Sequence, residues 1–173
     1  MSTTYVRAAT AVLGAVAIAL AAASGSASAT VSTGTDTVLG PDGFGPLKVG
    51  MSLSDAIATG KVGDPVGGHD LCRGYKWAYS SGPVLIISKK YGVYSIPGTA
   101  PGARTPEGIG VGATPEQVKL AYPNAREGKQ NGTDILTVTT PGNPANRYLF
   151  GVRDGKVSGF ALQAVNARDC AAG

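Results

Sequence analysis

One short pattern occurs twice in this chain, and it limits the fold more than any other feature. Leu47-Lys48-Val49-Gly50-Met51-Ser52-Leu53-Ser54-Asp55-Ala56 returns 62 positions later as Ile109-Gly110-Val111-Gly112-Ala113-Thr114-Pro115-Glu116-Gln117-Val118. Each copy reads as a glycine turn flanked by apolar residues, then a helix cap, then a short helix. In the first, Ser52 is a natural N-cap, Asp55 stands near the positive helix end, and Gly60 suits a left-handed C-cap. In the second, Thr114 caps, Pro115 takes the first helical position and Gln117 completes a capping box. Helices of about two turns do not hold alone in water and must bury a face against a sheet. Leu53, Ala56 and Ile57 supply that face in one copy, Val118 and Ala121, with Leu120 beside them, in the other.

Strand signals follow each helix. Tyr75, Trp77 and Tyr79 alternate with Lys76 and Ala78, Val84 to Ile87 is densely apolar, and Tyr91 to Ile96 supplies a third strand. The second copy is followed by Asp134 to Thr139, Tyr148 to Val152 and Val157 to Leu162, the last two joined by Arg153-Asp154-Gly155-Lys156, a tight-hairpin signal. Lys61 to Asp70 is glycine-rich and reads as loop, and Ser81-Gly82-Pro83 reads as a turn. The expected class is α+β: two tandem helix-plus-antiparallel-sheet repeats packed as one domain. The expected division is a leader over 1–29, an N-terminal arm over 30–42, the first repeat over 43–96, a proline-rich linker over 97–106, and the second repeat with a C-terminal tail over 107–173.

The leader reads as an export signal. Arg7 precedes an uncharged apolar run from Ala11 to Ala23, and Ala27-Ser28-Ala29 is a small-x-small cleavage site that places the mature start at Thr30. That run is shorter than the roughly 18–20 apolar residues a membrane span needs. A secreted, extracellular bacterial protein of one compact domain, free of the membrane once the signal is removed, is the expectation. Cys72 and Cys170 are the only cysteines, and an even pair in an exported chain favours one disulfide, with two buried free thiols as the alternative. Without Arg7 the net charge falls from +4 to +3. The cations are scattered, with Lys89-Lys90 the longest run, so the concentrated stripe of a nucleic-acid binder is missing.

The halves resemble the tandem units of the β-lactamase inhibitory protein family and of small outer-membrane assembly lipoproteins. Val49-Gly50-Met51-Ser52, Val111-Gly112-Ala113-Thr114 and the closing Phe150-Gly151-Val152-Arg153-Asp154-Gly155-Lys156-Val157 carry the likeness. The lead-in Leu39-Gly40-Pro41-Asp42-Gly43 is similar to that of uncharacterised secreted actinomycete proteins. The resemblance implies two helix-plus-sheet units whose strands form a curved sheet that grips a partner. This chain departs from those inhibitors in having one long-range cysteine pair rather than a bridge in each unit, and it has no counterpart of their enzyme-inserting hairpin.

Chemistry-bearing motifs are sparse. His69 is the only histidine, and His69-x-x-Cys72 offers two metal ligands where zinc needs three or four. Gly108-Ile109-Gly110-Val111-Gly112 lacks the Lys-Ser/Thr of a phosphate loop and reads as the turn into the second helix. Asn131-Gly132-Thr133 matches a glycosylation sequon, but Asn-Gly reads first as a turn. No catalytic residue, metal site or cofactor is expected. Tyr75, Trp77 and Tyr79 are the candidate partner-binding residues: on an outer face they form a stacking platform, on an inner face ordinary core, and Tyr91 and Tyr94 extend either. The expected function is a secreted, non-enzymatic binding module that contacts a protein or cell-wall polymer through a sheet face, an inhibitor-like protein being a special case. The alternatives are a small extracellular hydrolase built on His69 and a structural envelope protein.

Overall fold

The computed structural model describes residues 37–171. The expected export signal, the expected Ala29/Thr30 cleavage point and the expected arm up to residue 36 lie outside the described residues. The chain opens with a small ribbon, β1 (Gly43–Phe44) and β2 (Leu47–Lys48), and passes into helix α1 (Leu53–Ala58). Four strands follow: β3 (Val62–His69), β4 (Cys72–Trp77), β5 (Ser80–Ser88) and β6 (Gly92–Pro97). Helix α2 (Pro115–Ala121) then precedes β7 (Arg126–Gln130), β8 (Thr133–Thr139), β9 (Asn146–Arg153) and β10 (Lys156–Ala164), and the short α3 (Arg168–Ala171) ends the described chain.

The eight long strands form one antiparallel sheet in the order β3-β4-β5-β6-β10-β9-β8-β7. α1 and α2 are thus each followed by a four-strand meander, and the last strands of the two meanders meet in the centre. That seam has three register pairs: Ala161 with Pro97, Leu162 with Ile96, and Gln163 with Ser95. The balance differs from the expected α+β class. Helices of six, seven and four residues accompany a sheet that dominates the described chain, an arrangement closer to all-β.

Local chemistry explains the helices. Ser52 Oγ accepts from the Asp55 amide at 3.2 Å, and Gly60, at φ 71°, closes α1 in the left-handed region. Thr114 and Gln117 complete a reciprocal capping box, with bonds of 3.3 and 2.8 Å. A helix of six or seven residues is only about 9–10 Å long, so it meets the sheet over little more than one turn. Of the expected apolar faces only Ala56 and Val118 are fully buried, while Leu53 and Ile57 are exposed and Leu120 projects into solvent.

The two pre-helix glycines are held alike. Gly50 N–H donates to Val93 C=O and Val93 N–H to Met51 C=O, both at 2.8 Å. Gly112 N–H donates to Val157 C=O and Val157 N–H to Ala113 C=O, again at 2.8 Å. In each half, then, the turn into the helix adds a rung beside the strand that closes that half. Gly92 lies against the first of these turns at φ 75°, where a Cβ would stand 2.3 Å from Met51 C=O.

Three loop expectations change. The segment read as loop over Lys61 to Asp70 is mostly β3, an edge strand whose register breaks on both sides of Pro65 let the proline sit where no outward amide is needed. The turn expected at Ser81-Gly82-Pro83 falls instead at Ala78-Tyr79, and those three residues belong to β5. The expected linker over 97–106 is packed structure: Ala100, Ala103 and Thr105 are buried, and Arg104 exchanges backbone bonds of 2.8 Å with Thr37 and Leu39. The tight turns hold as read, with Asn131 and Gly132 at φ 49° and 77°, and Asp154 and Gly155 at 51° and 70°.

A single core lies on the helix side of the sheet. It joins Phe44, Leu47, Ala56, Trp77, Leu85, Ile96, Val118, Tyr122, Leu136, Tyr148, Phe150 and Leu162. Cys72 and Cys170 form a disulfide, with Cα atoms 5.3 Å apart across 98 positions. Such a covalent link suits an oxidising compartment. Among the described residues no helix is long and apolar enough to cross a membrane.

Candidate binding face

The groups singled out for chemistry are occupied by structure. His69 ends β3, exposed, and its Nδ1 accepts from the Leu71 amide at 3.4 Å within the turn. Its neighbour Cys72 is oxidised, and among the described residues no three His, Cys, Asp or Glu side chains gather as metal ligands do. The glycine loop closes on itself, Thr105 N–H donating to Ile109 C=O at 2.8 Å and Gly108 N–H to Thr105 C=O at 2.9 Å. Its amides therefore do not converge as a phosphate cradle. A polar cluster that the sequence reading missed lies nearby: Tyr122 donates to the Glu107 carboxylate and stands 2.6 Å from Thr105 Oγ1. Burial, and then the Glu107 hydrogen bond, push the Tyr122 phenol well above its ordinary value. It stays protonated and acts as a strut rather than an acid or base.

The aromatic candidates face inward. Trp77 is 2% exposed and Tyr75 9%, both on the core side of β4. Tyr79 leaves the strand in the Ala78-Tyr79 turn, and its ring meets Phe44 at 5.6 Å and Trp77 at 5.2 Å. Lys61 Nζ donates to the Tyr79 hydroxyl at 2.7 Å and lies 5.0 Å from that ring's centre. The stacking-platform reading of Tyr75, Trp77 and Tyr79 is therefore corrected. Alternation put Tyr75 and Trp77 on one face, and Phe44 decides that this face is the interior. Tyr94 is buried as well, while Tyr91 is exposed.

The sheet's other face lies opposite α1 and α2, and strand alternation assigns it residue by residue; Ser88, Ser95 and Gln163 on it are buried toward the α3 end, while the positions of β7 to β9 are more open. In β8 and β9, Leu136, Val138, Tyr148 and Phe150 point to the core, so Ile135, Thr137, Thr139, Arg147, Leu149 and Gly151 point away. Cross-strand pairing extends these into rows. One runs Arg126, Thr137, Leu149, Ala161, Pro97; the next runs Gly128, Ile135, Gly151, Gly159. A third runs Thr139, Arg147, Gln163, Ser95, Ile86, Gly74. In the first meander, Val66, Val84 and Ile86 surround Gly74 and line a shallow depression of about 330 Å³. The disulfide and a 2.6 Å bond from Ser88 Oγ to Asp169 pin α3 over the adjoining end of this face.

Charge divides the two sides of the second meander. Toward the helices, Glu127 pairs with Lys119 at 2.5 Å and Asp134 with Lys129 at 2.6 Å. On the outward side the strand positions hold Arg126, Arg147, Arg153 and Lys156 and no carboxylate; the nearest acid along the chain is Asp154, in the hairpin turn. Arg147 Nη2 donates to Gln163 Oε1 at 3.4 Å, and its Nε is enclosed without an acceptor among the described residues. This field escaped the sequence reading, although the signal was present: alternating large apolar residues in β8 and β9 mark which side the intervening arginines must take.

Comparison with protein-family models, with characterised proteins and with solved structures finds no match for this chain.

Proposed function

We propose that this chain is an exported, non-enzymatic binding module that meets a protein or cell-wall partner through the outward face of its sheet. One observation carries the reading: one side of the eight-stranded sheet is packed under α1, α2 and the ribbon, while the other shows Val66 and Val84 on the first meander and, on the second, Ile135 and Leu149 beside Arg126, Arg147, Arg153 and Lys156, which have no ion pair among the described residues. The solvated face of an antiparallel sheet is commonly polar, so apolar side chains gathered there with unpaired cations suit a partner. His69 stands exposed in a turn without catalytic or metal-ligating partners among the described residues, the glycine loop closes on itself and the aromatic triad packs inward, which leaves this face as the surface with binding character. Export is supported by the apolar leader with its Ala27-Ser28-Ala29 site and by the disulfide.

The two halves are, on this reading, tandem copies of one helix-plus-sheet unit. Support comes from the repeated sequence pattern, the repeated order of helix and four-strand meander, and the matching bonds of Gly50 with Val93 and Gly112 with Val157. The resemblance to the β-lactamase inhibitory protein family, carried by Val49-Gly50-Met51-Ser52, Val111-Gly112-Ala113-Thr114 and the closing hairpin, implies partner binding through the sheet.

The test compares Leu149→Arg on the outward face with Leu120→Arg on α2 in capture from culture supernatant and wall fractions. Loss of a reproducible partner with the first and retention with the second is expected. Retention with both, in folded proteins, overturns the reading.

A further inference from the structure

Three glycines, Gly128, Gly151 and Gly159, share one cross-strand row with Ile135 on the outward face. Glycine weakens a strand, and in a strand interior it commonly marks a place where another backbone comes close. Space is not the reason for glycine here. A Cβ on Gly159 would meet nothing within 4 Å, and one on Gly151 would meet only ordinary contacts, the nearest at 3.7 Å. Gly151 and Gly159 leave the backbone of β9 and β10 bare, a trough bounded on the β8 side by Ile135. Beside it runs the apolar row of Leu149 and Ala161. Cations stand on both flanks: Arg153 and Lys156 on one, Arg126 and Arg147 on the other.

We propose that this trough docks an extended acidic segment of a partner protein, its backbone over the glycines and its carboxylates reaching the flanking cations. This inference rests on the binding-face reading above. Charge complementarity names the occupant. The outward strand positions of β7 to β10 carry four cations with no ion pair among the described residues, and the acids of β7 and β8 are paired on the other side. The enclosed Nε of Arg147 lacks an acceptor, and a carboxylate that draws the guanidinium outward supplies one. A polypeptide fits better than an anionic wall polymer. The cations bracket an apolar centre, the anatomy of a protein interface, rather than forming the continuous line that a polyanion follows.

The experiment selects from a phage-displayed library of random linear peptides on the full mature protein, then measures the selected peptides, poly-glutamate and purified teichoic acid by titration. The variants are Arg147→Glu with Arg153→Glu, Gly159→Val, and Leu120→Arg as a control on α2, each checked for an unchanged melting temperature. Peptides that mix Asp or Glu with apolar residues are expected. The charge reversals should weaken them at least tenfold, Gly159→Val should also weaken them, and Leu120→Arg should leave them unchanged. Peptides lost with Gly159→Val but indifferent to the charge reversals, or without acidic enrichment, overturn this inference and leave the binding face standing. Peptides weakened only by Leu120→Arg overturn both. Binding of poly-glutamate and teichoic acid alone, indifferent to Gly159→Val, overturns it in favour of a polymer surface, and failure to select any peptide overturns it outright.

Discussion

The hydroxyl of Tyr148 donates to the backbone carbonyl of Leu39 at 2.9 Å, across 109 positions of chain. One end of this bond lies on a central strand and the other on the segment that leads into the first ribbon, so the phenol ties the chain entrance to the middle of the core. Tyr148→Phe leaves that carbonyl buried without a donor, and a loss of about 1–3 kcal/mol is expected in urea unfolding.

The same residue predicts an alkaline limit. Burial, then the charges of Glu107 and Asp42, push Tyr148 above its ordinary value, and Tyr122 is pushed up in the same direction. The unfolded chain releases these phenolic protons from about pH 10, while the folded chain keeps them. The folded state then binds more protons, so this stability is complete below pH 10 and falls as pH rises beyond it. Each tyrosine adds a slope of up to about 1.4 kcal/mol per pH unit. Denaturation midpoints between pH 9 and 12 check this; Tyr148→Phe should flatten the decline.

Trp77 is the only tryptophan and is almost wholly enclosed. Native fluorescence should be blue-shifted and resist iodide quenching. Trp77→Ala removes a ring packed against Phe44 and Tyr79 and should cost about 3–5 kcal/mol. Emission already at the solvent-exposed position in the native protein would return this residue to the surface.

Reduction of the disulfide should release α3 from β5 and lower stability by about 3–5 kcal/mol, because the loop it closes is long. Melting with and without reductant measures the loss, and non-reducing peptide mapping identifies the bridged pair.

Gly92→Ala is expected to cost more than Gly112→Ala. Both glycines have positive φ, but only at Gly92 does a Cβ run into backbone, at Met51 C=O and Gly50 C=O. Thermal unfolding of the two variants reads the difference.

Whatever is decided within a few residues was legible in the sequence. Ser52 and Thr114 cap their helices as their neighbours require, and Asn131-Gly132 and Asp154-Gly155 turn where only a left-handed pair can. Long-range decisions were not. Gly63, Pro65, Gly67 and Gly68 weaken any local strand preference, and β3 exists because β4 offers it a ladder. Periodicity set Tyr75 and Trp77 on one side of β4, but Phe44, distant in sequence, decides that this side is the interior. The outward cations were half legible: the alternation of Tyr148 and Phe150 with Arg147 and Leu149 sets the side of Arg147, but only the strand register brings Arg126, Arg147, Arg153 and Lys156 onto one face.

The sulfur link between Cys72 and Cys170 makes the chain between them a closed ring that holds both central strands, the packed proline segment and the whole second meander. A protease that cuts any exposed turn inside that ring yields no free fragment, only one molecule with a nick. For the exported module proposed above, the bond acts less as reinforcement than as insurance that both cut ends stay attached.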